Sequence, residues 1–382
     1  MTAPSNPYVS HLQPRLREIM SLIRELVERE SPSHDKTATD ALGGFIADTF
    51  RRAGARVTVH SARDFGDHIQ ADFDGDPSRK PIFLLGHFDS VWDAGTLAKM
   101  PFREADDRLW GPGVLDMKCG IAQALYAINA IRDVRGRLPR QVTVFLVTDE
   151  EIGSETSRPI TERLARLSAA VLVLEPSYGL HGALKTARKG VGEYVLKVKG
   201  IASHSGLDFQ KGASAVLELS HQLLEIAKLT DLAAGISVNP GVIRGGTRTN
   251  VIAPEAEADI DARVTTIAQA ELLDSCFRSL KPLDPRCSLQ ISGSIRRPPM
   301  ERTEAIANLF AMAQRLGREL SLDLQEAAVG GGSDGNFTAA IGVPTLDGLG
   351  VPGEGAHATN ESILVDQIVP RTALLARLIE EV

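Results

Sequence analysis

PIFLLGHFDS, residues 81–90, is a short apolar run halted by Gly86 and followed at once by two ionisable side chains, His87 and Asp89. Its length and uninterrupted apolar character predict a buried strand that ends in a loop. Two further segments repeat the pattern. QVTVFLVTDEE, residues 141–151, delivers Glu150 and Glu151 after its apolar run, and AAVLVLEPS, residues 169–177, delivers Glu175. Between the first and second of these three runs, Met117 to Arg132 reads as a helix with Ile121, Leu125, Ile128 and Ile131 on one face. Strands alternating with helices at this spacing predict an α/β fold, with a mostly parallel sheet covered on both faces. Sites in such sheets lie beyond the carboxyl ends of the strands, where these ionisable groups fall.

Towards the N-terminus, Leu16, Ile19, Met20, Ile23 and Leu26 predict a helix from about Pro14 to Glu30, and a second runs from Thr39 to Ala53, stopped by Gly54. Beyond Glu175 the pattern changes. YVLKVKGIAS (194–203), GVIRGGTRTNVI (241–252) and AEADIDARV (256–264) alternate apolar with polar residues, as antiparallel strands with one solvated face do. Helices fit Ala213 to Leu229 and Ala268 to Leu280 between them. About four strands and two helices thus form an inserted α+β unit, after which the helical and parallel-strand pattern resumes. The expected organisation is a sheet domain built from 1–187 and 299–382, with 188–298 inserted.

At 382 residues the chain exceeds what one hydrophobic core usually holds. Hydrophobic content of 43% and charged content of 24% are those of an ordinary globular protein. A net charge of −7 argues against nucleic acid or an anionic membrane surface as partner, though a locally basic pocket could still take an anionic substrate. Cys119, Cys276 and Cys287 share no metal-ligand spacing and imply no disulfide framework. The N-terminus, MTAPSNPYVSHLQPRLREIM, shows no basic segment followed by an apolar run, and no stretch approaches the roughly 20 apolar residues of a membrane span. The expected location is cytoplasmic.

Five potential metal ligands occur along the chain in the order His87, Asp116, Glu151, Glu175, His357, with Glu150 beside the third. Two imidazoles and three carboxylates are donors suited to a pair of zinc ions, and a spare Glu suits hydrolysis by activated water. Most of these residues also have a plainer reading. His87 and Asp89 are a surface His and a turn Asp, or a ligand and the acceptor that fixes its tautomer. Asp116, in GPGVLDMKCG (111–120), is a helix N-cap or a carboxylate bridging two metals. Glu150 and Glu151 are exposed acids at a strand end, or a general base and a ligand. Glu175 follows an apolar run where an unpaired charge is costly. His357, in the loop GVPGEGAHATNES (350–362), is solvated or ligating.

Together, GHFDSV, GPGVLDMKCG, VTDEEIGS, VLEPS, ASHSG, GGGSDGNF and the His357 loop resemble the dinuclear zinc peptidases that include aminoacylases, succinyl-diaminopimelate desuccinylases and glutamate carboxypeptidases. RKGVGEYVLKVKGIASHSG, GGTRTNVIAP and GGGSDGNF look most like the bacterial glutamate carboxypeptidases that remove C-terminal glutamate from folates, although no export signal like that of the secreted members is visible here. The resemblance implies a zinc-peptidase catalytic sheet with an inserted dimerisation or lid domain, and two Zn²⁺ per chain, with Co²⁺ or Mn²⁺ able to substitute. It implies that Asp116 bridges the metals and that its peptide bond to Met117 is cis. His87 and Glu175 would complete one site, and Glu151 and His357 the other. Glu150 would be the base and Asp89 the partner of His87.

In the insert, the resemblance implies that His204 stabilises the developing oxyanion in the active site of the partner subunit, and therefore that the protein is a homodimer. It places Asn250, Arg263 and Arg297 on the substrate side, with Arg296 the alternative to Arg297, and Gly331 and Gly332 along the pocket. The implied activity is cleavage of an amide bond next to a C-terminal free carboxylate, in an N-acyl-Glu, N-acyl-Asp or small peptide. The alternatives are an N-acyl-amino-acid deacylase or N-carbamoyl hydrolase, and a non-catalytic ligand-binding relative. The last predicts loss of a ligand or the base, yet all six positions are filled.

Overall fold

The structure, a computed structural model, describes residues 6–382; the first five residues of the N-terminus read above lie outside it. The chain divides into two compact units. One contains the described residues up to Ala187 together with Arg302–Ala328 and Ser333–Val382; the other contains Arg188–Glu301 and Val329–Gly332.

In the first unit the strand Ile82–His87 is buried along its whole length and lies between Val142–Val147 and Ala170–Val173, parallel to both. The six-stranded sheet runs in the order Arg56–His60, His68–Phe73, Val142–Val147, Ile82–His87, Ala170–Val173, Thr345–Leu346. Its first two pairings are antiparallel and the other three parallel. Alternate side chains explain why no polar face is left. Ile82 and Leu84, with Val142 and Val144, enter one core beneath helices Leu16–Val27, Lys36–Arg52, Cys119–Arg135 and Val365–Glu381. Phe83 and Leu85, with Phe145 and Val147, enter another core that includes Leu164 and Ala165 of helix Arg158–Leu167. Each such buried side chain contributes about 1.5–3 kcal/mol relative to exposure, which favours the strands as a sandwiched layer.

The predicted helices form within a few residues of their expected limits. Asp35 caps Lys36–Arg52 by accepting from Ala38 N–H, and the chain leaves that helix through Gly54 at φ +87°. The antiparallel strands Arg56–His60 and His68–Phe73 are additions to the expected sheet. No helix among the described residues is long and apolar enough to cross a membrane.

The second unit is a four-stranded antiparallel sheet ordered Ser237–Gly245, Glu255–Val264, Gly190–Lys199, Ser288–Arg297, with helices Ala215–Ala227 and Ile267–Arg278. Tyr194, Leu196 and Val198 alternate into its core beside Ala258 and Ile260. The strand expected to continue through GVIRGGTRTNVI stops at Gly245, because Gly246 at φ +72° turns the backbone out of the ladder. The limits of this unit also differ from 188–298. Arg188 exchanges backbone hydrogen bonds with Met300, Lys189 donates to the Val329 carbonyl, and the Arg188 guanidinium donates to the carbonyls of Gly331 and Gly332. Those bonds draw 299–301 and 329–332 into the second unit.

Candidate metal centre

His87 is the last residue of its strand, and Glu150, Glu151 and Glu175 follow the ends of the two strands flanking it. Parallel pairing therefore brings these groups out together at the carboxyl ends of three adjacent strands. Asp116 arrives from the loop ahead of helix Cys119–Arg135, and His357 from a loop where it sits at φ +60°. The helix begins beyond Asp116, which has non-helical angles (φ −115°, ψ 95°) and is not its N-cap; the Asp116–Met117 peptide is cis.

The two oxygens of Asp116 are shared between the imidazoles: Oδ1 lies 3.1 Å from His87 Nε2 and Oδ2 lies 3.3 Å from His357 Nε2. Glu175 Oε1 is 3.3 Å from His87 Nε2, and Glu151 Oε1 is 3.3 Å from His357 Nε2. Ligand atoms of His87, Asp116 and Glu151 lie within 4.8 Å of one another, as do those of His87, Glu150 and Glu175. Glu150 thus shares the cluster, so distance alone does not divide base from ligands.

Asp89, 1% exposed, stands behind His87: its Oδ1 is 3.4 Å from Nδ1, and its backbone carbonyl is 3.1 Å from the same nitrogen. The carbonyl accepts the Nδ1 proton and turns Nε2 towards the carboxylates, while Oδ1 makes no hydrogen bond and contributes its charge beside the ring. Asp89 Oδ2 also accepts from Ser33 Oγ (2.8 Å) and Glu151 N–H (3.3 Å). The His87 side of the cluster is closed, whereas the His357 side chain is 50% exposed, so solvent enters from that side.

The electrostatics are those of a cation site. Burial alone would push the His87 imidazole down, but Asp116, Asp89 and Glu175 hold it well above its usual range. Burial would likewise raise Asp116, yet contacts with His357 and His87 hold its carboxyl far below normal. Asp116 and Glu151 lift His357 to about 10, and burial raises Glu151. Five carboxylates converge on two imidazoles, which take up protons to compensate. Divalent cations could provide that compensation, and the mixed imidazole and carboxylate donors suit zinc, cobalt or manganese.

Other polar groups around the cluster are absent from the sequence reading. Lys185 Nζ is 4.0 Å from Glu175 Oε2. Glu361, four residues past His357, is buried against the Asp116 loop. Both carry ordinary residue types, and only their tertiary placement marks them.

In the second unit, His204 accepts at Nδ1 from Gly206 N–H (3.1 Å) and Leu207 N–H (3.2 Å), leaving Nε2 as the protonated nitrogen of the neutral ring. The Asn250 carbonyl accepts from Ser205 N–H, beside it. Arg297 is buried, with its Cδ close enough to Gly332 that a Cβ there would approach to 2.7 Å. Arg296 points elsewhere and pairs with Glu193 at 3.3 Å. Arg263 is gripped by Asp261 in a forked contact of 2.8–3.1 Å.

Carboxypeptidase G2 of Pseudomonas sp. (strain RS-16) is 28% identical to the chain over 366 residues, spanning 94% of this chain and 87% of the relative. Acetylornithine deacetylase of Myxococcus xanthus is 29% identical over 320 residues, 78% of this chain and 79% of the relative. In fold, the aminopeptidase PepT of Bacillus cereus superposes with a TM-score of 0.80 at 19% identity, over 96% of this chain and 98% of that one. The sequence profile of peptidase family M20/M25/M40 matches residues 83–381, from the central strand to the last helix, and the chain belongs to that family of metal-dependent hydrolases.

Proposed function

We propose that the protein hydrolyses an amide bond adjacent to a C-terminal free carboxylate, using two divalent cations, zinc in the first instance. The observation that carries this reading is the division of Asp116 between His87 and His357, each imidazole having a second carboxylate, Glu175 or Glu151, at 3.3 Å. One carboxylate shared by two such pairs suits a bridged dinuclear site. Bound there, the cations supply Lewis acidity, lowering the pKa of water and polarising the substrate carbonyl.

His87 and Glu175 hold one cation, Glu151 and His357 the other, and Asp116 spans both. Asp89 keeps the His87 tautomer that presents Nε2. Glu150 takes the proton of the attacking water and returns it to the departing amine, which requires a carboxylate within reach of the cluster but not consumed by it. His204, whose Nδ1 is already occupied by two amides, offers Nε2–H to the oxygen on which negative charge builds.

Arg297 is the guanidinium for the substrate's terminal carboxylate, with Gly331 leaving room for ligand backbone and Gly332 leaving room for the Arg297 side chain packed against it. Arg297 is preferred to Arg296 because it is buried against Gly332, whereas Arg296 is exposed and pairs with Glu193. Asn250, next to the His204 turn, lies on the substrate side. Two copies associate through the second unit: the edge strand Ser237–Gly245 exposes Val242 and Ile243, and helix Ala215–Ala227 exposes Val216, Leu217 and Leu224.

The relative acetylornithine deacetylase favours a second reading, removal of an acyl group from an amino acid, on the same machinery. A panel of N-acyl-glutamates, N-acyl-aspartates, dipeptides and their C-terminal amides, incubated with zinc-loaded protein, tests the choice. Release of Glu or Asp from several acyl donors supports the carboxypeptidase reading. Turnover governed by one short acyl group regardless of the amino acid supports the deacylase. Efficient cleavage of the amides would remove the free carboxylate from the proposal.

A further inference from the structure

Glu361 is 1% exposed and accepts four hydrogen bonds. Oε1 takes the backbone amides of Leu115 (2.9 Å) and Asp116 (3.0 Å). Oε2 takes the amide of Gly113 (2.8 Å) and the indole Nε1–H of Trp92 (2.9 Å). Its own backbone carbonyl accepts from Gly111 N–H at 3.3 Å. Buried Lys118 sets a positive charge in its surroundings. A carboxylate in a closed interior is costly unless its lone pairs are filled, and here backbone donors from a single loop fill most of them.

The loop so gripped ends at Asp116, whose oxygens must face two imidazoles at once. We infer that Glu361 is the positioning residue for the metal centre: by fixing the amides of Gly113, Leu115 and Asp116 it sets Asp116 to divide its carboxylate between two divalent cations. Glu361 lies four residues beyond His357, and its N–H donates to the Ala358 carbonyl at 3.0 Å. One side chain therefore joins the loop of the shared carboxylate to the loop of the exposed histidine. This rests on the reading of Asp116 as the bridge.

The isosteric Glu361→Gln isolates the role, because its amide nitrogen turns a donor towards N–H groups that need an acceptor. Zinc affinity is measured by competition with a chromophoric chelator, and cobalt-loaded protein is examined by visible absorption. Outer partners of metal ligands typically change affinity by about 10–100-fold, and that loss is expected for at least one cation, with an altered cobalt spectrum. Glu30→Gln is the control: that carboxylate holds the amides of Gly95 and Leu97 rather than the Asp116 loop, and should bind both cations as the parent does. A merely structural role for Glu361 would lower the melting temperature without moving the cobalt spectrum.

If Glu361→Gln does not fold, Glu361→Asp, which keeps both oxygens on a shorter arm, carries the same measurements and should show a smaller loss. Parental affinity and spectrum in whichever variant folds would overturn the inference. Asp116→Ala, measured alongside, separates the two levels. If it binds both cations normally, the bridge reading fails; if it loses them while the Glu361 variant does not, only the positioning role fails.

Discussion

Asp116 Oδ1 lies 3.1 Å from His87 Nε2, although the two residues are 29 positions apart and reach the cluster from different elements. The other oxygen of the same carboxylate faces His357. Removing it should therefore affect both halves of the centre. Asp116→Ala is expected to fall from two zincs per chain to one or none by elemental analysis, with hydrolysis lost. Two retained zincs would be incompatible with a shared ligand.

Glu150 and Glu151 are neighbours in one turn, yet the proposed roles separate them. Glu150→Gln should retain metal and lose about 10²–10⁴-fold in kcat, the usual effect of removing a general base. Glu151→Gln should lose metal first. Parallel measurements of metal content and turnover decide the matter, and the opposite pattern would exchange the two assignments.

The metal-free protein should bind cations with release of protons. His87 is held well above its usual range, and His357 is raised from 6.5 to about 10, first by Asp116 and then by Glu151. A raised folded pKa means that the imidazolium–carboxylate contact at His357 stabilises the metal-free fold fully below 6.5, and that this contribution is lost as pH rises through about 10. A cation needs neutral Nε2, so near pH 7 it must displace those protons, and affinity should climb with pH up to about 10. Calorimetric titration in buffers of different ionisation enthalpy reads the release directly. Heats independent of buffer would mean that the imidazoles are not the ligands.

How far the sequence reveals this arrangement depends on how local each cause is. The strand Ile82–His87 and its two parallel neighbours are legible because a short apolar run followed by ionisable residues needs no tertiary information. Arg56–His60 escapes notice because it is only five residues long and no residue of it is fully buried, leaving its pairing with the antiparallel strand His68–Phe73 as the cause that fixes it. Asp116 reads equally as a helix cap until its backbone angles show that the helix starts later. Glu361 is hidden for a stronger reason: its donors lie about 245 residues earlier and are mostly main-chain amides, which carry no sequence signature. Likewise Arg296 and Arg297 are hard to tell apart in the sequence, because the bulge between Ile295 and Arg297 disturbs the alternation of strand faces.

Arg297→Ala should raise KM sharply for substrates with a free terminal carboxylate and much less for their amides, since a charge-assisted contact of about 1.5–3 kcal/mol exists only with the acid. Arg296→Ala, which removes an exposed pair with Glu193, should leave both nearly unchanged. Equal losses for acids and amides in Arg297→Ala would argue for a packing role.

His204 gives the prediction with the widest reach. Its ring is fixed by two amides at Nδ1, in a unit separate from the one that holds the metal cluster, so its removal should disturb neither metal content nor folding. His204→Ala is expected to keep both zincs and a parental melting temperature while losing kcat. If His204 serves the neighbouring subunit, mixing His204→Ala with the inactive Glu150→Gln protein creates mixed dimers. In each, one site lacks both groups and the other site has both. Subunit exchange should then restore up to half the parental activity per mixed dimer from two proteins that are inactive apart. Exchange demonstrated by mass-tagged subunits, with no recovery of turnover, would confine His204 to its own chain or remove it from the reaction.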